Sequence, residues 1–196
     1  MNQRVITLFH ESIEAKMQVG EGLAPLIEEA SRMIVHALLD GKKLLICGNG
    51  VSAANGQVFT SSLVNRFEQE RPSLPAVALG NDVTTQTSIA NDYSFNEIYA
   101  KQIRALGQAG DLLVILSGSG NPSNLVPAIG AAHDREMAII ALTGRDSGNI
   151  SALLDVNDIE LHVPVDSLAR IHEIHLLIIF CLCDLIDHQL FGVQES

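Results

Sequence analysis

The chain has 196 residues, with 12 Lys and Arg against 23 Asp and Glu and a formal net charge of −11, a length suited to one domain with at most a small appendage. No basic run occurs, so the counterion release that drives duplex binding has no source, and direct contact with nucleic acid is not expected. A hydrophobic share of 47% with 18% charged residues excludes disorder, and 4% aromatics with no Trp imply an aliphatic core of helices on a parallel sheet.

The first forty residues predict two amphipathic helices. Val5, Phe9, Ile13 and Met17 recur at every fourth position, with Ile6 and Leu8 beside them, and Gly20 and Gly22 punctuate the stripe. Leu23, Leu26, Ile27, Ala30, Ile34, Ala37 and Leu38 make a second stripe, which Asp40-Gly41 ends. Residues 1–40 are read as a helical oligomerisation segment. They are expected to bundle with other subunits, because the domain that follows, residues 41–196, carries helices of its own. From Lys43 short apolar strands alternate with helices. Strands are predicted at 44–47, 76–79, 112–116, 138–142 and 159–163. Helices are predicted at 52–67, 84–90, 95–106, 124–135 and, briefly, 150–153. The alternation implies an α/β fold: a three-layer, Rossmann-like, five-stranded parallel sheet with helices on both faces. Residues 174–186 are apolar nearly all round, so this last helix is expected to be buried in the domain or at a subunit interface.

The longest apolar run, residues 176–185, is broken by Asp184 and is too short to span a bilayer. The segment after Met1-Asn2-Gln3-Arg4 lacks the uninterrupted apolar core of a signal peptide. Cys47, Cys181 and Cys183 are odd in number, which argues against a disulfide framework and for a reduced, cytoplasmic protein. Cys181 and Cys183 lie two apart on a helix and face different sides, so they read as buried apolar residues and not as a zinc pair.

Two predicted strand ends run into loops rich in Gly and Ser: Gly48-Asn49-Gly50-Val51-Ser52, and Ser117-Gly118-Ser119-Gly120-Asn121-Pro122-Ser123. Glycines let the backbone approach an anion, the following helix points free N–H groups at it, and serine hydroxyls add neutral donors. This is a phosphate cradle without a lysine. No Gly-Lys-Ser/Thr follows, and Ala53 stands at the third glycine position of a dinucleotide fingerprint, so neither nucleotide loop is present.

These loops, together with Ala90-Asn91-Asp92, Ala141-Leu142-Thr143-Gly144 and Arg170-Ile171-His172-Glu173-Ile174-His175, resemble the SIS (sugar isomerase) domain family, in particular its phosphoheptose isomerase branch. The resemblance spans nearly the whole chain. It implies a homotetramer with a central four-helix bundle, and phosphosugar contacts at Asn49, Gly50, Val51, Ser52, Asn91, Asp92, Ser117, Gly118, Ser119 and His172. The isomerases carry a His and, four residues on, a Glu after the first loop; here Val58 and Ser62 stand there. On the last helix they carry a Gln and, eight residues on, a His; here these are His172 and Phe180. Isomerisation through an enediol needs a base, which neither valine nor an unassisted serine supplies. A metal site built from those four positions keeps only His172. No catalytic residue, metal or cofactor is therefore assigned. His172 and His175 lack the spacing of a zincin and read as a helix-end pair with satisfied hydrogen bonds.

Within the family, Asn65-Arg66-Phe67-Glu68, Glu70-Arg71-Pro72-Ser73-Leu74-Pro75-Ala76, the stretch from Tyr99 to Gly107 and that from Cys181 to Asp187 resemble the DiaA-like, initiator-associating branch. That resemblance implies a non-catalytic tetramer that gathers the replication initiator DnaA at the origin, touching DNA only through it. Leu190 and Phe191 would be the partner-binding anchors, and the acidic surface would suit a basic partner. The alternatives are a sedoheptulose 7-phosphate isomerase and a phosphosugar-responsive regulator.

Overall fold

The structure, a computed structural model, describes residues 1–119, 122–146 and 148–192. Five strands, β1 (Leu44–Gly48), β2 (Ala76–Ala78), β3 (Leu112–Leu116), β4 (Ala138–Gly144) and β5 (Ile159–Val163), form one parallel sheet in the order β2-β1-β3-β4-β5. The helices are α1 (Asn2–Leu39), α2 (Val51–Val64), α3 (Val83–Asp92), α4 (Ile98–Leu106, entered through a 3-10 turn at Phe95–Glu97), α5 (Leu125–His133), α6 (Gly148–Ser151) and α7 (Leu168–Phe191). The expected α/β class is thus the observed one.

Side chains alternate across the sheet. Leu44, Ile46, Leu112, Val114 and Leu116 face a layer made by α1, α2 and α7, while Leu45, Cys47, Leu113 and Ile115 face α4 and α5. Both faces are covered, so β1 and β3 are buried at every position, and this is why they read as continuous apolar runs.

The sequence suggested two leading helices, and the structure has one. Gly20 and Gly22 each cost only ~1 kcal/mol relative to alanine, and Pro25 forfeits one backbone hydrogen bond. Burial of Ala15, Val19, Leu23, Ala30, Ile34 and Ala37 along one face outweighs those penalties. The stripe of Val5, Phe9, Ile13 and Met17 stays exposed on this chain, whereas the second stripe lies on α7 and β5 of the chain's own domain. Ser12 Oγ donates to Glu173 (2.6 Å) and Arg170 to the Leu8 carbonyl (2.9 Å), tying the first half of α1 to the start of α7.

Helix α7, at 24 residues, is longer than the apolar run that suggested it, and by length and composition alone it could cross a bilayer. Here its buried stripe, Ile171, Ile174, Ile178, Ile179, Leu182 and Ile186, packs in the same core as α1, α2 and the sheet. Because Ile34 is fully buried in that core, Ile34→Ala is expected to lower stability by about 3 kcal/mol in urea unfolding. A loss below about 0.5 kcal/mol would mean that α1 is an appendage and not part of the core.

Candidate functional site

In this strand order β2 lies on one side of β1 and β3 on the other, so the winding direction reverses between β1 and β3. Open parallel sheets bind ligands at such a point, beyond the carboxyl ends of the strands. Both Gly/Ser loops leave the sheet there. Gly48 is pressed against the neighbouring strand: a Cβ on it would stand 2.8 Å from the Leu116 carbonyl oxygen and 3.1 Å from Ser52 Cβ. Gly50, at φ +56°, turns the chain into α2 and leaves the free N–H groups of that helix at the crevice.

Asn49 and Asn124 bridge the loops with a reciprocal amide pair of 2.8 and 2.9 Å. Ser117 Oγ donates to the Ser119 carbonyl (2.5 Å) and accepts from the Ser119 N–H (3.4 Å). Ser52 and Ser117 are buried, Ser119 is exposed, and Val51 stands exposed on the first turn of α2. Gly120 and Asn121, the middle of the second loop, lie outside the described residues.

His172 reaches the same loop from α7. A Cβ on Gly118 would meet its Cε1 at 3.1 Å and Nε2 at 3.5 Å, so the imidazole lies directly over the glycine. Its backbone carbonyl accepts from the buried Asn55 amide at 3.0 Å. Burial lowers its pKa below the ordinary value, which favours the neutral base. One turn on, the fully buried His175 hydrogen-bonds through Nε2 to the Thr143 carbonyl (3.0 Å), and burial pushes its pKa down to about 4. The Nδ1 atoms of both histidines are buried without a hydrogen-bond partner among the described residues, which corrects the expectation that this pair is fully satisfied. Tertiary burial of α7 removes both from water, and spacing alone does not show that.

Other expected residues lie at helix ends. Asn91 and Asp92 are exposed at the end of α3, where the Asn91 amide donates to Asp92 (3.0 Å), and among the described residues no hydrogen bond joins either to the two loops. Leu190 packs partly buried on the core; Phe191 is 37% exposed at the end of α7, where Gly192 at φ +76° follows. The sequence reading missed Asn124 and Asn55. Asn124 starts the helix after the second loop, but its amide partner is 75 residues away; Asn55 sits in a helix with no polar neighbour to mark it as buried. A cavity of about 660 Å³ lies elsewhere, between α1 and α7, and is lined mainly by apolar side chains such as Leu23, Ile174 and Ile178.

Val58 and Ser62 lie one turn apart on α2, which packs on α7. The Phe180 ring stacks on Phe67 at 5.8 Å between centroids. Only His172 among these positions offers a good metal donor, so the four do not fit a divalent metal.

A family model for the SIS domain matches residues 8–144. The chain belongs to the SIS domain family. It is 59% identical over 192 residues to the phosphoheptose isomerase of Chromohalobacter salexigens, covering 98% of each chain, and 52% identical over 196 residues to that of Shewanella halifaxensis, covering all of both. Among solved structures, a phosphoheptose isomerase from Francisella tularensis superposes with a TM-score of 0.92 at 46% identity, covering 95% of this SIS chain and 97% of that one. One from Neisseria gonorrhoeae gives 0.89 at 44%, covering 95% and 98%.

These full-length relatives overturn the reading of a non-catalytic, DiaA-like tetramer partnered with DnaA, and with it the partner-binding role of Leu190 and Phe191. The stretches behind that reading have structural work instead. Arg71 is buried, donating to Asp187 (2.9 Å) and to the Ser62 (2.6 Å) and Leu63 (2.7 Å) carbonyls; Tyr99 donates to the Gly48 carbonyl; Cys183 lies in the core.

Two outcomes follow from this geometry. Gly118→Ala must displace His172 or Leu168, and is expected to weaken phosphosugar binding about tenfold in calorimetry while the fold is retained. Between its ordinary value of 6.5 and about 4, the His175 imidazole is protonated in the unfolded chain but not in the folded one. Its contribution to stability is therefore complete above that window and falls by about 3 kcal/mol as the pH drops through it. Urea midpoints across this range should decline less steeply in His175→Gln than in the parent.

Proposed function

We propose that this protein is a phosphoheptose isomerase, interconverting sedoheptulose 7-phosphate and an aldoheptose 7-phosphate. The observation that carries this reading is the match to phosphoheptose isomerases across the full chain, at 50–59% identity in sequence and a TM-score of 0.92 in structure. The switch-point crevice supports it. The N–H groups at the start of α2, with the hydroxyls of Ser52, Ser117 and Ser119, suit a phosphate or sugar oxygens. Asn49, Gly50, Val51 and Gly118 supply backbone and amide contacts, and Asn124 holds Asn49 in place.

Converting the ketose to the aldose transfers one proton from C1 to C2 and one from O1 to O2, with no net loss or gain of atoms or electrons. A base must take the C1 proton as the C1–C2 double bond of the enediol forms, and return it at C2. The His and Glu that the family resemblance implies on the helix after the first loop are Val58 and Ser62 here. The imidazole over Gly118 is His172, held neutral by burial, and it takes the role of base in this reading. Asp92 orients a sugar hydroxyl, and Asn91 holds its carboxylate. Three unpaired thiols, Cys47, Cys181 and Cys183, accord with a reducing cytoplasm.

The test is incubation of the purified protein with sedoheptulose 7-phosphate, with aldoheptose formation followed by NMR. Turnover is expected, with a loss of about 100-fold or more in kcat in His172→Ala and little change in KM. Phosphosugar binding with no product would overturn the reading, and unchanged kcat in His172→Ala would remove the imidazole from it.

A further inference from the structure

We infer that this chain works on its phosphosugar without a divalent metal at the cradle, the donor positions on α2 and α7 having become an apolar ledge. The inference deepens the isomerase reading and rests on it for the identity of the substrate. A zinc site needs three or four N, O or S donors converging on one point, at ~2.0–2.3 Å from the ion. Of the four positions on the packed helices α2 and α7, Val58 and Phe180 have no donor atom at all. Ser62 carries a neutral hydroxyl, a weak zinc ligand. One imidazole, His172, does not hold a metal by itself.

Neighbouring residues do not make up the deficit. Cys181 and Cys183 lie two residues apart on α7 and face different sides of it, with Cys183 in the core, so they do not converge on one ion. His175, on the turn after His172, is committed through Nε2 to the Thr143 carbonyl, and its ring centroid lies 6.4 Å from that of His172 in an edge-on arrangement. Two imidazoles on one ion at bond distance and tetrahedral angle have centroids nearer ~5.3 Å apart. The Phe180 ring, stacked on Phe67, and the Val58 side chain instead present apolar surface along α2 and α7.

Equilibrium dialysis of the full chain against zinc, after stripping with chelator, tests this independently of turnover. Zinc uptake is expected to be the same in the parent and in His172→Ala, and the melting temperature unmoved by zinc or EDTA. One zinc per chain that is lost in His172→Ala would overturn the inference. The converse experiment restores the donors. Val58→His, Ser62→Glu, His172→Gln and Phe180→His together should gain one zinc per chain over the parent; should they gain none, these positions are not where the donor set was lost. If that variant does not fold, Val58→His with Ser62→Glu keeps His172 as a third donor and should raise zinc affinity about tenfold or more, and an unchanged affinity counts against the inference in the same way. Absence of turnover in the parent would remove the isomerase reading and leave the dialysis result standing.

Discussion

The close approach of β1 to β3 at their carboxyl ends constrains everything around the crevice. Gly48 lies so near the Leu116 carbonyl that no side chain fits between them. The two strands pair in register over five residues, from Leu44 with Leu112 to Gly48 with Leu116, and the pairing carries both loops to the same level above the sheet. From there the reciprocal Asn49–Asn124 amide pair fixes the loops to each other. Tyr99, from the opposite helical layer, donates to the Gly48 carbonyl and satisfies a backbone group that the departing chain leaves without a strand partner. A crevice made from loops is as exact as the strands that present it, and here β1 and the central β3 do so.

The third wall of the crevice comes from α7, whose position depends on α1. The long first helix buries Ala30 and Ile34 in the same core as Ile171, Ile174 and Ile178, and Ser12 and Leu8 make polar contacts with Glu173 and Arg170 at its start. Asn55 on α2 then holds the His172 carbonyl. The imidazole over Gly118 is therefore placed by three helices at once. Its burial both orients it and lowers its affinity for a proton, and both suit a general base.

Much of the fold was legible because parallel strands with both faces covered read as short apolar runs, and the five runs coincide with the five strands to within two residues at each end. The two Gly/Ser loops were legible for the same reason, since each follows a run and precedes a helix. The single α1 was not, because glycines that punctuate a stripe are overridden when enough of that stripe finds a surface. Nor were Asn124 and Asn55, whose significance lies in partners 75 and 117 residues away. The functional reading went astray where local likeness was taken for a partner-binding signal. Arg71, Tyr99 and Cys183 serve the packing of α2, β1 and α7, and a residue pattern kept by packing says nothing of what the surface binds.

By itself the sequence determined the α/β class, the location of the two Gly/Ser loops, and the lack of strong metal donors at Val58, Ser62 and Phe180, because each of these is a property of residue type and short spacing. Tertiary structure alone decided that α1 is one helix embedded in the core, that Asn91 and Asp92 are exposed at the end of α3, and that His172 lies over Gly118 with its neighbour His175 fully buried. The physical reason is common to all three. Burial and orientation depend on which distant elements share a surface, and a chain specifies that only through the sum of its packing.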